Sequence, residues 1–112
     1  MKVTILMSTY NGENFLAEQI ESIKQQTYTD WTLLIRDDGS KDKTREIIKR
    51  FALEDDRITF INPDQTENLG VIKSFFTLLK YQESDYYLFS DQDDTWLPEK
   101  LSLQLEEANH YP

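Results

Sequence analysis

The sequence predicts an α/β fold built on a doubly wound, mainly parallel sheet, and three observations predict it. Short apolar runs alternate along the whole chain with segments whose apolar residues recur at helical spacing. Turn-rich polar clusters follow the strand-like runs, and no internal repeat or low-complexity tract breaks the alternation. A βαβαβαβα order of this kind implies parallel neighbours joined by right-handed crossovers.

Each element follows from its own pattern. Val3 to Met7 reads as a buried strand; after the turn-like Asn11-Gly12, Leu16, Ile20 and Ile23 recur at i, i+4, i+7, the spacing of an amphipathic helix with Asn14 as its cap. Trp31 to Arg36 is a second strand, closed by Asp37-Asp38-Gly39-Ser40. Ile47, Ile48, Phe51 and Ala52 mark a helix stripe, Ile58 to Ile61 a third strand, and Val71, Ile72, Phe75, Phe76 and Leu79 a third helix. Tyr86 to Phe89 is the fourth strand, with Phe75, Phe76, Tyr86 and Phe89 expected in the core. Pro98 suits the first turn of a closing helix that carries Leu101, Leu105 and Ala108.

The 112 residues fit one domain or part of a larger one. Hydrophobic residues make up 38% of the chain and charged residues 29%, enough apolar material for a core and no mark of disorder. Cysteine is absent, which excludes disulfides, thiolate metal sites and cysteine nucleophiles. No apolar run approaches the ~18 residues of a membrane span, and Ser8 arrives before a signal-peptide core is complete, so the piece reads as soluble. The net charge of −9 disfavours nucleic acid and anionic membranes as partners. That charge is uneven: Met1 to Arg50 holds eight basic and eight acidic residues, Phe51 to Pro112 four and thirteen. Most of the excess reads as a solvated face, but Asp91-Gln92-Asp93-Asp94 crowds three carboxylates directly after an apolar strand and invites a cation.

In an open parallel sheet, ligands sit beyond the carboxyl ends of the strands. Ser8-Thr9-Tyr10-Asn11-Gly12, Asp37-Asp38-Gly39-Ser40 and Ser90-Asp91-Gln92-Asp93-Asp94 all fall there, so three segments converge on one crevice. The three glycines stand too far apart for a dinucleotide fingerprint or a P-loop, and the single His110, three residues from the end, leaves no Ser-His-Asp triad in that crevice. Any metal therefore takes oxygen ligands, which points to Mg²⁺ or Mn²⁺. Asp91 and Asp93, two apart in an extended segment, suit such an ion bridging to a diphosphate; the bland alternative makes Asp91, Asp93 and Asp94 turn and capping residues. Asp38 offers a carboxylate to the imide N–H of a uracil or thymine, or else belongs to an ordinary strand-to-helix turn capped by Ser40. Tyr10 offers a stacking face or a packing ring, and Glu13 a contact to base or ribose or a solvated first-turn carboxylate. Lys73, at a helix start after Asn68-Leu69-Gly70, reaches a phosphate or only solvent. Trp96 either contacts a sugar or anchors Leu97 and Pro98.

Taken in order, Ser8-Thr9-Tyr10-Asn11-Gly12, Gln26-Thr27 before Trp31, Ile35-Arg36-Asp37-Asp38-Gly39-Ser40-Lys41-Asp42-Lys43-Thr44, Asn68-Leu69-Gly70 and Ser90-Asp91-Gln92-Asp93-Asp94-Thr95-Trp96-Leu97-Pro98-Glu99-Lys100 resemble the N-terminal, nucleotide-binding half of family 2 glycosyltransferases with the GT-A fold. The Ser-Asp-Gln-Asp-Asp-x-Trp form is similar to bacterial members that build surface polysaccharides, some of them rhamnosyltransferases. The resemblance implies that residues 1–112 are the nucleotide-sugar-binding part of a longer transferase domain. It implies a donor site of Ser8, Tyr10, Glu13, Asp38, Lys73 and Asp91, in which Tyr10 stacks on the base, Asp38 accepts its N–H and Asp91 lies near ribose and metal, with Asp93 the principal ligand of Mg²⁺ or Mn²⁺. It further implies inverting transfer from a UDP- or dTDP-sugar to a saccharide or lipid-linked saccharide acceptor. A cytoplasmic location goes with that activity, with the inner face of the cell membrane open to the full-length protein. The general base is expected beyond Pro112, because only eighteen residues follow Asp94, and this piece is therefore expected to bind donor without transferring sugar by itself.

Two rival readings remain at this point. Asp91-Gln92-Asp93-Asp94-Thr95 satisfies the D-x-D-x-T of a haloacid-dehalogenase-like phosphatase with Asp91 as nucleophile, although that family needs further motifs downstream. A non-enzymatic receiver-type signalling domain suits the length, but its acidic pair should end the first strand and Asp37-Asp38 ends the second.

Overall fold

A computed structural model describes residues 2–90 and 95–110 of the chain. The element order is β1 (Val3–Thr9), α1 (Leu16–Lys24), β2 (Trp31–Asp37), α2 (Thr44–Glu54), β3 (Ile58–Phe60), α3 (Val71–Tyr81), β4 (Tyr86–Ser90) and α4 (Lys100–His110). The four strands form one parallel sheet in the order β3-β2-β1-β4. Strand order thus reverses at β1. Register runs from Val3 opposite Trp31 to Thr9 opposite Asp37 on one side of β1, and from Val3 opposite Tyr86 to Met7 opposite Ser90 on the other.

Alternation along the strands divides the apolar residues between the two faces of the sheet. Val3, Ile5, Met7, Leu33, Ile35 and Leu88 pack with Leu16, Ile20 and Ile23 of α1, Ile48 and Phe51 of α2, and Leu101 and Leu105 of α4. Leu6 and Leu34 point the other way, onto Leu78 of α3. Helices cover both faces, so the sheet is doubly wound as expected. β1 and β2 are buried almost throughout because both of their faces are covered.

Several local expectations are corrected. Asn14 does not cap α1: Phe15 holds the N-cap position without a side-chain bond, and the Gly12 carbonyl accepts the amides of Phe15 and Leu16 instead. Ser40 does not cap α2 either; Asp42 Oδ1 accepts the Thr44 amide at 2.9 Å, while Ser40 turns back to Asp37. Pro98 precedes α4, and its carbonyl accepts the Thr27 amide at 2.9 Å. β1 and β2 run further than the apolar pattern suggests, to Thr9 and Asp37, because hydrogen-bond pairing and not hydropathy sets where a strand ends. β3 stops at Phe60, one residue short of the expected Ile61.

The largest correction concerns α3. Its buried side chains are Ser74 and Leu78, with Phe75 and Leu79 half-buried, whereas Val71, Ile72 and Phe76 are exposed. Phe89 on β4 is exposed as well and meets Phe75 edge to face at 5.1 Å between ring centroids. The helix carries more apolar residues than one contact with the sheet can bury. Its inward face is chosen by Leu6 and Leu34 below it and by the hydroxyl of Ser74, which has buried polar partners that a phenylalanine could not satisfy.

Candidate functional site

The loops after β1 and β2 are laced together at the carboxyl edge of the sheet, next to the point where strand order reverses. Asn11 adopts φ 49°, a left-handed conformation that asparagine tolerates better than most residues. Its side-chain oxygen accepts the Lys41 amide at 2.9 Å, its own amide reaches Ser40 Oγ at 2.8 Å, and the Gly12 amide reaches Thr44 Oγ1 at 2.8 Å. Asp42 ties the same loops, since its Oδ2 accepts the Glu13 amide at 3.2 Å. Burial by itself would raise the Asp42 carboxyl, but the Thr44 hydroxyl and the amides of Thr44 and Glu13 outweigh it and hold the group below the usual aspartate value.

The two adjacent aspartates have different fates. Asp37 is fully buried, and its carboxylate accepts Thr9 Oγ1, Ser40 Oγ, the Ser40 amide and Arg45 Nη1. Four donors fill the roughly four lone-pair sites of a carboxylate. Asp38 Oδ1 accepts Arg36 Nη1 at 2.8 Å and the Leu69 amide at 2.6 Å, and Oδ2 accepts the Gly70 amide at 3.0 Å. Among the described residues no donor fills the second acceptor position of Asp38 Oδ2. Asp37 therefore holds the loop, and Asp38 is the member of the pair with capacity for a ligand.

The other expected site residues are placed as follows. Ser8, half-buried at the end of β1, donates to Ser74 Oγ at 2.6 Å, and Tyr10 is 46% exposed on the following loop. Glu13 is exposed and its Oε2 accepts the Lys43 amide at 3.3 Å, so it braces the loop before α2. Lys73 is exposed in the first turn of α3. Asp91, Asp93 and Asp94 lie outside the described residues. Chain connectivity starts that acidic run one residue after Ser90, a buried residue that accepts Gln19 Nε2 at 2.9 Å at the carboxyl end of β4. Trp96 is buried in the main core, whereas Leu97 and Pro98 beside it stay exposed and are not drawn into the core with it.

Four residues of this edge were not singled out from the sequence. Arg36 and Ser74 belong to the bonding around Asp38; Asn62 and Arg45 hold the loop around Asp37. Arg36 had a legible signal, a charged residue directly after the apolar run Leu33-Leu34-Ile35 of β2. Ser74 had none. Among the described residues no group of three His, Cys, Asp or Glu side chains is placed to hold a metal ion.

The model of the glycosyl transferase family 2 matches residues 4–112. The chain is 35% identical over 103 residues to the UDP-Glc:alpha-D-GlcNAc-diphosphoundecaprenol beta-1,3-glucosyltransferase WfgD of Escherichia coli, covering 92% of this chain and 39% of that protein. It is 40% identical over 103 residues to the dTDP-rhamnosyl transferase RfbG of Shigella flexneri, covering 89% of this chain and 36% of that one. Among solved structures, the mannosyltransferase PcManGT from Pyrobaculum calidifontis in complex with GDP-Man and Mn2+ superposes with a TM-score of 0.77 at 25% identity, over 90% of this chain and 30% of that chain. The chain thus spans about two fifths of the length of these two relatives. With a doubly wound parallel sheet, its polar loops gathered at the carboxyl edge and a family match over all but its first three residues, the chain belongs to glycosyl transferase family 2 and has the GT-A fold.

Proposed function

We propose that this chain binds the nucleotide-sugar donor of an inverting transferase that builds bacterial surface polysaccharide, with a UDP- or dTDP-sugar as donor and a saccharide or lipid-linked saccharide as acceptor. The observation that carries the reading is the unfilled acceptor position on Asp38 at the ligand-binding edge of the sheet. A fixed carboxylate acceptor selects a base that presents an N–H, as uracil and thymine do. The names of WfgD and RfbG, which specify UDP-Glc and dTDP-rhamnosyl, support that choice. Tyr10, exposed beside Asp38's loop, stacks on the base, while Ser8, Glu13 and Lys73 complete the donor site. Asp91 and Asp93 would hold Mg²⁺ or Mn²⁺, which would offset the diphosphate charge that a chain of net charge −9 otherwise repels. The complex of PcManGT with GDP-Man and Mn2+ favours a divalent ion. An acceptor hydroxyl displaces the diphosphate at the anomeric carbon, its proton taken by a carboxylate.

Titration of the chain with UDP and dTDP, with Mn²⁺ and again with EDTA, tests this. Binding is expected only with the metal, and Asp93→Ala is expected to remove it. Equal affinity in EDTA contradicts the metal assignment, and failure to bind either nucleotide with Mn²⁺ contradicts the donor site.

A further inference from the structure

We propose that Arg36 and Ser74 are positioning residues for recognition of the donor base, acting through Asp38. The inference rests on the reading above, in which the remaining lone pair of Asp38 Oδ2 accepts an N–H of that base.

A carboxylate can discriminate between bases only if its free oxygen is held at one place. Asp38 is 4% exposed, and among the described residues its side-chain donors come from two separate parts of the fold: Arg36 on β2, and the amides of Leu69 and Gly70 just before α3. Two of the three donors sit on Oδ1. This turns the unfilled lone pair to Oδ2 and fixes the side-chain torsions, so the site accepts a hydrogen bond and cannot donate one.

Arg36 is itself held. Its Nη1 also donates to Ser74 Oγ at 3.1 Å and its Nη2 to the Glu67 carbonyl at 3.0 Å. Ser74, fully buried on α3, accepts Ser8 Oγ at 2.6 Å as well, and Ser8 stands opposite Arg36 in the β1–β2 register. One hydroxyl therefore joins β1, β2 and α3 behind the carboxylate. Fold stability alone does not demand this arrangement, since a buried ion pair replaced by apolar side chains of similar volume is often neutral or stabilising. Setting the direction of Asp38 Oδ2 accounts for both the buried guanidinium and the serine that displaces larger apolar residues from the inner face of α3.

Uracil presents N3–H to such an acceptor, whereas cytosine presents a bare N3, an acceptor facing an acceptor. UDP and CDP carry the same ribose and diphosphate and differ only at N3 and at the 4-position of the base, so their affinity ratio reads recognition of that base edge apart from the ribose and diphosphate contacts. The full chain, with Mn²⁺, is titrated with UDP and with CDP as wild type, Ser74→Ala, Ser74→Thr, Arg36→Met and Asp38→Asn, with a thermal melt of each. Ser74→Ala and Arg36→Met are expected to lower the UDP-over-CDP preference by about tenfold, through weaker UDP binding with CDP little changed. Ser74→Thr keeps the hydroxyl and is expected to recover most of the preference. If Arg36→Met does not fold, the alanine and threonine variants of Ser74 decide the matter. A wild-type ratio in Ser74→Ala, or equal loss of both nucleotides, overturns the inference. If Asp38→Asn abolishes the preference while Ser74→Ala keeps it, the positioning role falls and the base contact stands. A wild type that binds UDP and CDP equally removes both.

Discussion

Two adjacent aspartates at the end of β2 look alike in the sequence, yet the count of donors around each separates a residue that holds a loop from one that can meet a ligand. The glycine that follows them makes this turn possible. Gly39 has φ +86°, and a Cβ built on it lies 2.9 Å from the Thr66 carbonyl oxygen, a backbone atom that cannot swing aside. Gly39→Ala is expected to cost roughly 1–3 kcal/mol from the backbone conformation, with the close contact added to it. Urea denaturation measures this, and an unchanged midpoint would show that the turn relaxes freely. Gly70 also has φ +86°, but nothing lies within 4 Å of its added Cβ, so only conformation opposes a side chain there.

At the scale of the element, α3 is the informative helix. Its apolar residues are numerous enough to suggest several inward faces, and the one chosen buries Leu78 against Leu6 and Leu34 while Phe76 remains 57% exposed. Leu78→Ala is expected to destabilise the fold by about 2–5 kcal/mol, because it removes buried methyl groups and leaves a cavity. Phe76→Ser, on the outer side of the same helix, is expected to change stability by no more than about 0.5 kcal/mol, as surface substitutions usually do. Comparable losses in the two variants, measured by denaturant unfolding, would mean that the outer face is covered in solution. At the base of the sheet, Arg57 pairs with Asp55 at 2.8 Å and lies over the Trp31 ring at 3.9 Å, which fastens the start of β3 to the start of β2.

For the whole molecule, pH acts through groups that the fold has shifted. The Arg57 side-chain hydrogen bond holds the Asp55 carboxyl below its ordinary value despite partial burial, and Asp42 is lowered by its loop bonds against the effect of burial. A carboxyl with a lower folded than unfolded pKa adds stability above the unfolded value and loses it as pH falls through the folded one. Thermal stability is therefore expected to decline as pH drops below an aspartate's ordinary ~3.9, and Asp42→Asn and Asp55→Asn should each flatten that decline. Slopes identical to wild type would show that these groups are not linked to folding. Family membership over residues 4–112 displaces the phosphatase and receiver readings. Among the described residues no helix is long and apolar enough to cross a membrane.

The architecture was legible in the sequence because apolar periodicity reports which faces are covered: β1 and β2 read as short runs rich in apolar residues, α1 as a spaced stripe, and the polar clusters after β1 and β2 fall at one edge of the sheet. The motif order also pointed to the family, since spacing across several loops is specific where each motif alone is weak. Three features needed the tertiary structure. Periodicity cannot choose between apolar faces on a helix as apolar as α3, because packing against Leu6 and Leu34 makes that choice. Composition cannot tell Asp37 from Asp38, because the difference lies in donors contributed by residues as distant as Arg45 and Gly70. Ser74 carries no mark of its role in the sequence, since a hydroxyl has meaning only where the fold brings Ser8 and Arg36 within hydrogen-bond distance of it.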